Sequence, residues 1–129
     1  MKPQDLVGMP YRADFDCADF VQYVQMKLFG RRAVLSSERP RGPGAEIALA
    51  AESVAYCRPT EQPQHGDLIL FFDARQPGPA PTHAGVLILQ GHRRFALHSA
   101  ASYGGSVLTE FRYLSGLGLT IERYYSWVT

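Results

Sequence analysis

The sequence predicts an α+β domain in which an N-terminal helix carrying a candidate nucleophile packs on an antiparallel β-sheet. Three observations support this. Cys17, Phe20, Val21, Val24 and Leu28 fall on one face of a helix. The second half of the chain alternates short β-branched and aromatic runs with Gly- and Pro-containing turns. Helical patterns come first and strand patterns second, an order that favours α+β over alternating α/β. The 129 residues fit a single domain, 1–129, long enough to bury a core without disulfide staples.

Each element follows from local chemistry. Residues 1–14 read as a short polar lead with a Pro-containing turn. The helix begins at Cys17, with Asp14 or Asp16 as N-cap and Gly30 as its stop. Residues 36–44, rich in Ser, Pro, Arg and Gly, read as a surface loop. Residues 45–57 are Ala-rich, with Ile47, Ala50, Ala51 and Val54 at helical spacing, and predict a second helix ending at Cys57, a packed core thiol. Residues 58–66 hold two prolines and end in the turn His65-Gly66. Leu68 to Phe72 reads as a buried strand, and a Pro/Gly loop follows at 76–81. His83–Leu89 and Arg94–Ala100 form a hairpin around Gly91. Val107–Phe111 and Leu119–Val128 complete the strands, with Tyr124, Tyr125 and Trp127 closing the sheet edge.

Composition excludes several classes. Lys+Arg is 13 against Asp+Glu 12, which argues against nucleic-acid binding by phosphate neutralisation and leaves no polybasic membrane patch. No apolar run approaches the length of a membrane span. The N-terminus lacks the apolar core of a secretory signal, so the expectation is a soluble chain made in the cytoplasm. Two cysteines 40 residues apart make neither a metal knuckle nor a disulfide framework. There is no His-Glu-x-x-His motif, no P-loop and no Gly-x-Ser-x-Gly elbow. No metal or cofactor is expected.

The chemistry centres on Cys17. A thiolate is the nucleophile, and a helix N-terminus favours it; the same unpaired amides can hold an oxyanion. Asp14, Asp16 and Asp19 oppose ionisation, so Cys17 requires a cationic partner, for which an imidazolium is the usual solution. His83 and His98 are the candidates. If Gln90 and Gly91 form the hairpin tip, the two histidines lie directly opposite each other and project from one face. Any even-length tip keeps them together. Gly85 on that face leaves room beside the rings. The condition for catalysis is that the hairpin keeps both imidazoles on the side of the sheet that Cys17 occupies. His65 reads as structural or exposed, and His92, Arg93 and Arg94 as solvated near the tip.

Four segments carry a family resemblance. Phe15-Asp16-Cys17-Ala18-Asp19-Phe20 resembles the nucleophile turn of the NlpC family of cell-wall cysteine peptidases. Gly66-Asp67-Leu68 resembles its Gly-Asp-Leu strand, and His83-Ala84-Gly85-Val86 its His-x-Gly-hydrophobic strand. Phe95-Ala96-Leu97-His98-Ser99 resembles the strand bearing the third catalytic residue. The order matches from about residue 8 to the C-terminus. The resemblance implies a papain-like core with Cys17 as nucleophile, His83 as base and His98 as its orienting partner. The implied substrate is a peptidoglycan stem peptide, cut after a γ-linked D-glutamate and before a diamino acid. Tyr11 matches a tyrosine that lines the family's substrate site. Tyr11, Asp16 and Asp19 are the substrate-binding candidates, although Asp19 also fits as the third residue of a helix cap, the reading favoured here.

The chain departs from the family in three ways. Only Arg12 to Asp16 separate Tyr11 from Cys17, where relatives carry a Trp-Gly-Gly loop. Ala18-Asp19 replaces Ser-Gly. The interval from His83 to His98 is longer. A cell-wall enzyme without an export signal resembles those of phage tails, which makes phage tail proteins candidate partners. Acyl transfer or deamidation on the same core, and a non-catalytic wall-binding or tail module, are the competing functions.

Overall fold

The computed structural model describes residues 1–31 and 56–128. One helix, α1 (Cys17–Phe29), packs on a six-stranded antiparallel sheet. The strands are β1 (Cys57–Thr60), β2 (Leu68–Asp73), β3 (His83–Gln90), β4 (Arg93–Ala100), β5 (Gly105–Glu110) and β6 (Leu119–Trp127), in the order β1-β6-β2-β3-β4-β5. The predicted loop at 36–44 and the predicted helix lie outside the described residues, apart from the end of that helix. There the expectation fails, because Cys57 opens a strand. Residues 57–60 pair with β6 from Trp127 to Tyr124. Two prolines suggested a turn, but Pro59 sits on an edge strand, where a missing N–H is tolerated. β6 therefore lies inside the sheet, and its aromatic residues do not close the edge.

α1 forms where the periodicity predicts. Its buried face is Cys17, Ala18, Phe20, Val21, Val24 and Gln25. Gly30 stops it in the left-handed conformation, φ 63°. The apolar stripe packs on Leu68, Leu70, Ala84, Val86, Ile88, Phe95 and Leu97. The other face of the sheet buries Ile69, Phe71, Leu87 and Ala96 under Leu114 and Leu119. Both faces of β2 and β3 are thus covered, which explains their continuous apolar runs.

The ends of α1 are fixed by polar contacts. Buried Gln25 donates from Nε2 to the Gly66 carbonyl at 3.0 Å. Gly66 has φ 94°, and a Cβ there would lie 2.7 Å from the Phe29 ring. Asp67 closes the turn by accepting from the Gln64 N–H at 2.8 Å and also accepts from Ser126 Oγ. These contacts are the physical content of the Gly-Asp-Leu segment: a close approach for the helix end and a carboxylate that binds the turn to β6.

The N-terminal lead is more ordered than a polar lead suggests. Leu6 is buried, and its carbonyl accepts from Ser106 Oγ at 2.7 Å. Residues 8–11 then run beside the start of β5, with hydrogen bonds from Gly8 N to Ser106 O and from Ser106 N to Met9 O. A Cβ on Gly105 would lie 2.4 Å from the Met9 carbonyl oxygen, so only glycine admits this strand-like addition. Gly105→Ala is expected to destabilise the fold by roughly 1–3 kcal/mol, read as a lower urea midpoint with unchanged slope. An unchanged midpoint would mean that residues 8–11 can be displaced without cost.

Candidate active site

Cys17 is the first residue of α1, and Asp16 is the N-cap. Asp16 Oδ1 accepts from the Ala18 and Asp19 amides at 3.0 and 3.1 Å, and Asp19 Oδ2 accepts from the Asp16 amide at 3.1 Å. This is a reciprocal capping box. Both aspartates proposed as substrate ligands thus serve the cap, and Asp16 is buried. The third aspartate of the cluster, Asp14, points outward and pairs with Arg12 at 3.5 Å.

The hairpin forms with a different tip from the one predicted. Gln90 pairs with Arg93, so Gly91 and His92 make the two-residue turn. Gly91 has φ 63° and no other residue in the turn has positive φ, which suits glycine at the first central position. The register therefore shifts by two. His98 lies opposite Gly85, with His83 diagonal to it. An even shift keeps both rings on one face. His83 Nε2 lies 2.8 Å from His98 Nδ1, and His98 Nε2 lies 2.9 Å from Thr109 Oγ1. Phe71 stacks obliquely beneath both rings at 5.6 and 6.1 Å. Thr109 was missed by the sequence reading. Its only signal was its place two residues beyond the one opposite His98, which depends on the β4–β5 register.

Pleat alternation places His83 and His98 with Phe71 and Leu87, on the face away from the apolar stripe of α1. The expectation that the imidazoles share the helix side of the sheet is not met. Among the described residues, Cys17 is connected to the histidines through Tyr103. Gln25 is held at Gly66, which pairs with Leu87. Cys17 is eight helical residues from Gln25, about 12 Å of rise. Tyr103 links the two sides: its ring meets His98 edge-on at 5.3 Å, and its hydroxyl lies within electrostatic reach of Cys17.

Burial governs the electrostatics. It pushes His83 down to about 4, with the Asp73 carboxylate opposing and Arg75 reinforcing that shift. Burial also holds His98 well below the usual imidazole value, and the nearby His83 adds to this. The sequence argument asked for an imidazolium; the folded protein holds two neutral imidazoles at pH 7. Burial alone would raise the Asp73 carboxyl, but hydrogen bonds from the Arg75 side chain and backbone outweigh it and leave the group below its ordinary value. The pair is bidentate, with Arg75 Nε to Oδ1 at 3.0 Å and Nη2 to Oδ2 at 2.9 Å.

A cleft of about 230 Å³ opens beside His83, lined by Tyr11, Asp73, Arg75, Thr82 and Ser99 among others. Tyr11 reaches it because its amide is held by the Gly104 carbonyl at 3.4 Å, next to the Gly105 crossing. Cys17 is only 1 % exposed. Both cysteines are free thiols. His65 proves structural, accepting from the Leu89 amide at 3.0 Å. Among the described residues no cluster of His, Cys, Asp and Glu could hold a metal, and no helix is long and apolar enough to cross a membrane.

The neutral histidines predict a pH dependence of stability. Their folded pKa values lie below the unfolded value of about 6.5, so below that pH the unfolded chain gains protons that the native state refuses. Stability then falls as pH drops from about 6.5 towards 4, by about 1.4 kcal/mol per pH unit for each histidine. Urea midpoints measured from pH 7.5 to 4.5 should show this decline, and His83→Gln should flatten it. A flat wild-type profile would show that the imidazoles are protonated in the native state.

No family model matches the chain and no curated protein matches it significantly, so the chemistry of the site rests on its own geometry.

Proposed function

We propose that this protein is a cysteine hydrolase with a papain-like core, cutting an amide bond in peptidoglycan stem peptides. The NlpC-type resemblance of four ordered segments suggests the substrate. The observation that carries the reading is the hydrogen-bonded series Thr109–His98–His83, with Tyr103 in ring contact with His98 and within electrostatic reach of Cys17.

The series admits two sets of tautomers, and the proposed chemistry uses one of them. His98 donates from Nε2 to Thr109 and accepts at Nδ1 from His83 Nε2–H. His83 Nδ1 then carries a lone pair and acts as the base. It takes the Cys17 thiol proton as sulfur bonds to the substrate carbonyl carbon. The oxyanion is assigned to the Cys17 N–H, since the cap takes the amides of Ala18 and Asp19. His83 Nδ1–H protonates the leaving amine as the C–N bond breaks, leaving a thioester. His83 then deprotonates water, which releases the acid and returns the proton to sulfur. Because His83 rests neutral, the resting pair is a thiol and an imidazole, and proton transfer accompanies attack. The preferred bond is the one between γ-linked D-glutamate and a diamino acid.

The burial of Cys17 favours a second reading, a non-catalytic wall-binding module of a phage tail in which the thiol is core. A thiol-reactive probe separates the two. Rapid labelling of Cys17 at neutral pH that is lost in His83→Ala supports the enzyme; slow labelling indifferent to His83 supports the module.

Digestion of defined muropeptides, read by mass, should show Cys17→Ala with no turnover. His98→Gln should lose about 10²-fold or more in kcat. The profile of kcat/KM against pH should be bell-shaped, with its acid limb near 4, where His83 titrates, rather than at the usual imidazole value. Full activity in Cys17→Ala would refute the mechanism.

A further inference from the structure

Tyr103 is a half-buried aromatic residue that the proposed chemistry does not use, and it touches His98 where that ring needs support. Both His98 nitrogens are engaged, Nδ1 with His83 and Nε2 with Thr109. A half-turn of the imidazole would put carbons where those nitrogens are. The last torsion of a histidine is broad and two-fold, so packing has to choose between the two. Phe71 covers one side of the ring at 6.1 Å and 34°. Tyr103 meets it edge-on at 5.3 Å and 75°. Tyr103 is itself held twice. It ends the 3-10 turn Ala101–Tyr103, which Gly104 closes with φ 76°. The Arg75 guanidinium lies 5.8 Å from its ring centroid, and Asp73 fixes that guanidinium with two hydrogen bonds. The Tyr103 hydroxyl is buried without a hydrogen bond of ordinary geometry among the described residues. Burial raises its pKa, and nearby Arg75 opposes that effect without cancelling it.

Beside Tyr103 lies open space. A groove of about 540 Å³ is lined by Tyr103, Val107 and Thr109, with Leu108, Tyr113 and Leu117 among its other walls. Val107 pairs with His98, Thr109 bonds to it and Tyr103 touches it. His98 is nevertheless fully buried. We propose that Tyr103 is a positioning residue for the Thr109–His98–His83 series: its ring, clamped by the Asp73–Arg75 pair, fixes the orientation of His98 and closes the groove against water. The effect on turnover rests on the hydrolase reading; the effect on His98 does not. The titratable groups next to His98 are His83 on β3 and the Tyr103 hydroxyl, with Arg75, Asp73 and Cys17 beyond that hydroxyl. From β2 and β5 the ring meets only the uncharged Phe71, Val107 and Thr109. Without the Tyr103 ring, groove water reaches His98 and burial no longer holds it neutral. A protonated His98 donates at Nδ1 and accepts nothing from His83. The base then loses its orientation at a pH where the wild type keeps it.

Tyr103→Leu and Tyr103→Phe separate the ring from its hydroxyl. On defined muropeptides Tyr103→Leu should lower kcat by about ten-fold or more, as misplacement of a catalytic group does, with KM changed by less than about two-fold. Its acid limb should move up from near 4 towards the ordinary imidazole value of about 6.5. Tyr103→Phe should keep kcat within about three-fold of wild type and leave the limb in place. Nitrogen-15 NMR of the His98 ring reads the same change without substrate. Wild type and Tyr103→Phe should show one neutral tautomer down to about pH 5, whereas Tyr103→Leu should show mixed tautomers and protonation near pH ~6. Unchanged His98 signals in Tyr103→Leu overturn the proposal, and so does a Tyr103→Phe variant that behaves like Tyr103→Leu. If Tyr103→Leu does not fold, the wild type decides. Cross-relaxation between the Tyr103 and His98 ring protons, together with a single neutral His98 tautomer, supports the proposal; the absence of either overturns it. If the wild type cleaves no muropeptide, the hydrolase reading has failed, and the His98 spectra alone decide the positioning role.

Discussion

Gly85 and His98 face each other across β3 and β4, and the site depends on how closely they approach. A Cβ on Gly85 would sit 3.1 Å from His98 Cβ, 3.2 Å from the Phe71 ring and 3.3 Å from the Leu97 carbonyl. Such spacing is tighter than side chains normally tolerate. The missing Cβ lets the His98 ring lie over the Gly85 position and reach the diagonal His83, with Phe71 as the common floor. Diagonal neighbours lie about 7–8 Å apart, within reach of ring side chains when nothing stands between them. Because the rings are buried, the bond between them is also obligatory: an imidazole deprived of its partner here would keep the full cost of its desolvation.

The helix is placed by its two ends more than by its middle. Gln25 and Phe29 lock the C-terminal half onto Gly66, while the capping box of Asp16 and Asp19 fixes where the first turn begins. Apolar contacts between α1 and the sheet are compatible with some sliding along the strands; a buried amide-to-carbonyl hydrogen bond is not. The position of Cys17 relative to the start of β3 therefore follows from a contact twelve ångströms away, on the order of the rise of eight helical residues.

Much of this was legible. The helix period, the Gly30 stop and the β2–β4 strands follow from patterns of three to eight residues, and each is local. What escaped depends on partners distant in sequence. Cys57–Thr60 reads as the end of a helix and a Pro turn, and becomes a strand only because β6 offers an edge. Residues 8–11 look like a lead, and pair with β5 only because Gly105 removes a Cβ from their path. The hairpin tip was displaced by one residue because two glycine placements share nearly the same sequence signal; the register moved by two, so the shared face survived. The side of the sheet was misjudged for a different reason. The pairing argument fixed only that both rings share a face; which face that is depends on where α1 packs, and α1 packs on the face of Leu68, Leu70, Ala84 and Val86.

The aspartates around Cys17 show how far local charge counting can go. By sequence, three carboxylates surround the thiol and call for a cation to offset them. In the fold, two of the three are turned to backbone amides and the third pairs with Arg12 at the surface. Hydrogen bonds from a helix terminus absorb much of the field of a capping carboxylate, since the amide dipoles oppose it. The demand for an imidazolium weakens accordingly, and the buried neutral His83 is consistent with that. The charges that act on His83 lie elsewhere, on Asp73 and Arg75, at and just beyond the end of β2. They act on His83 with opposite sign and are bound to each other, so the basicity of the site is set by how completely one neutralises the other.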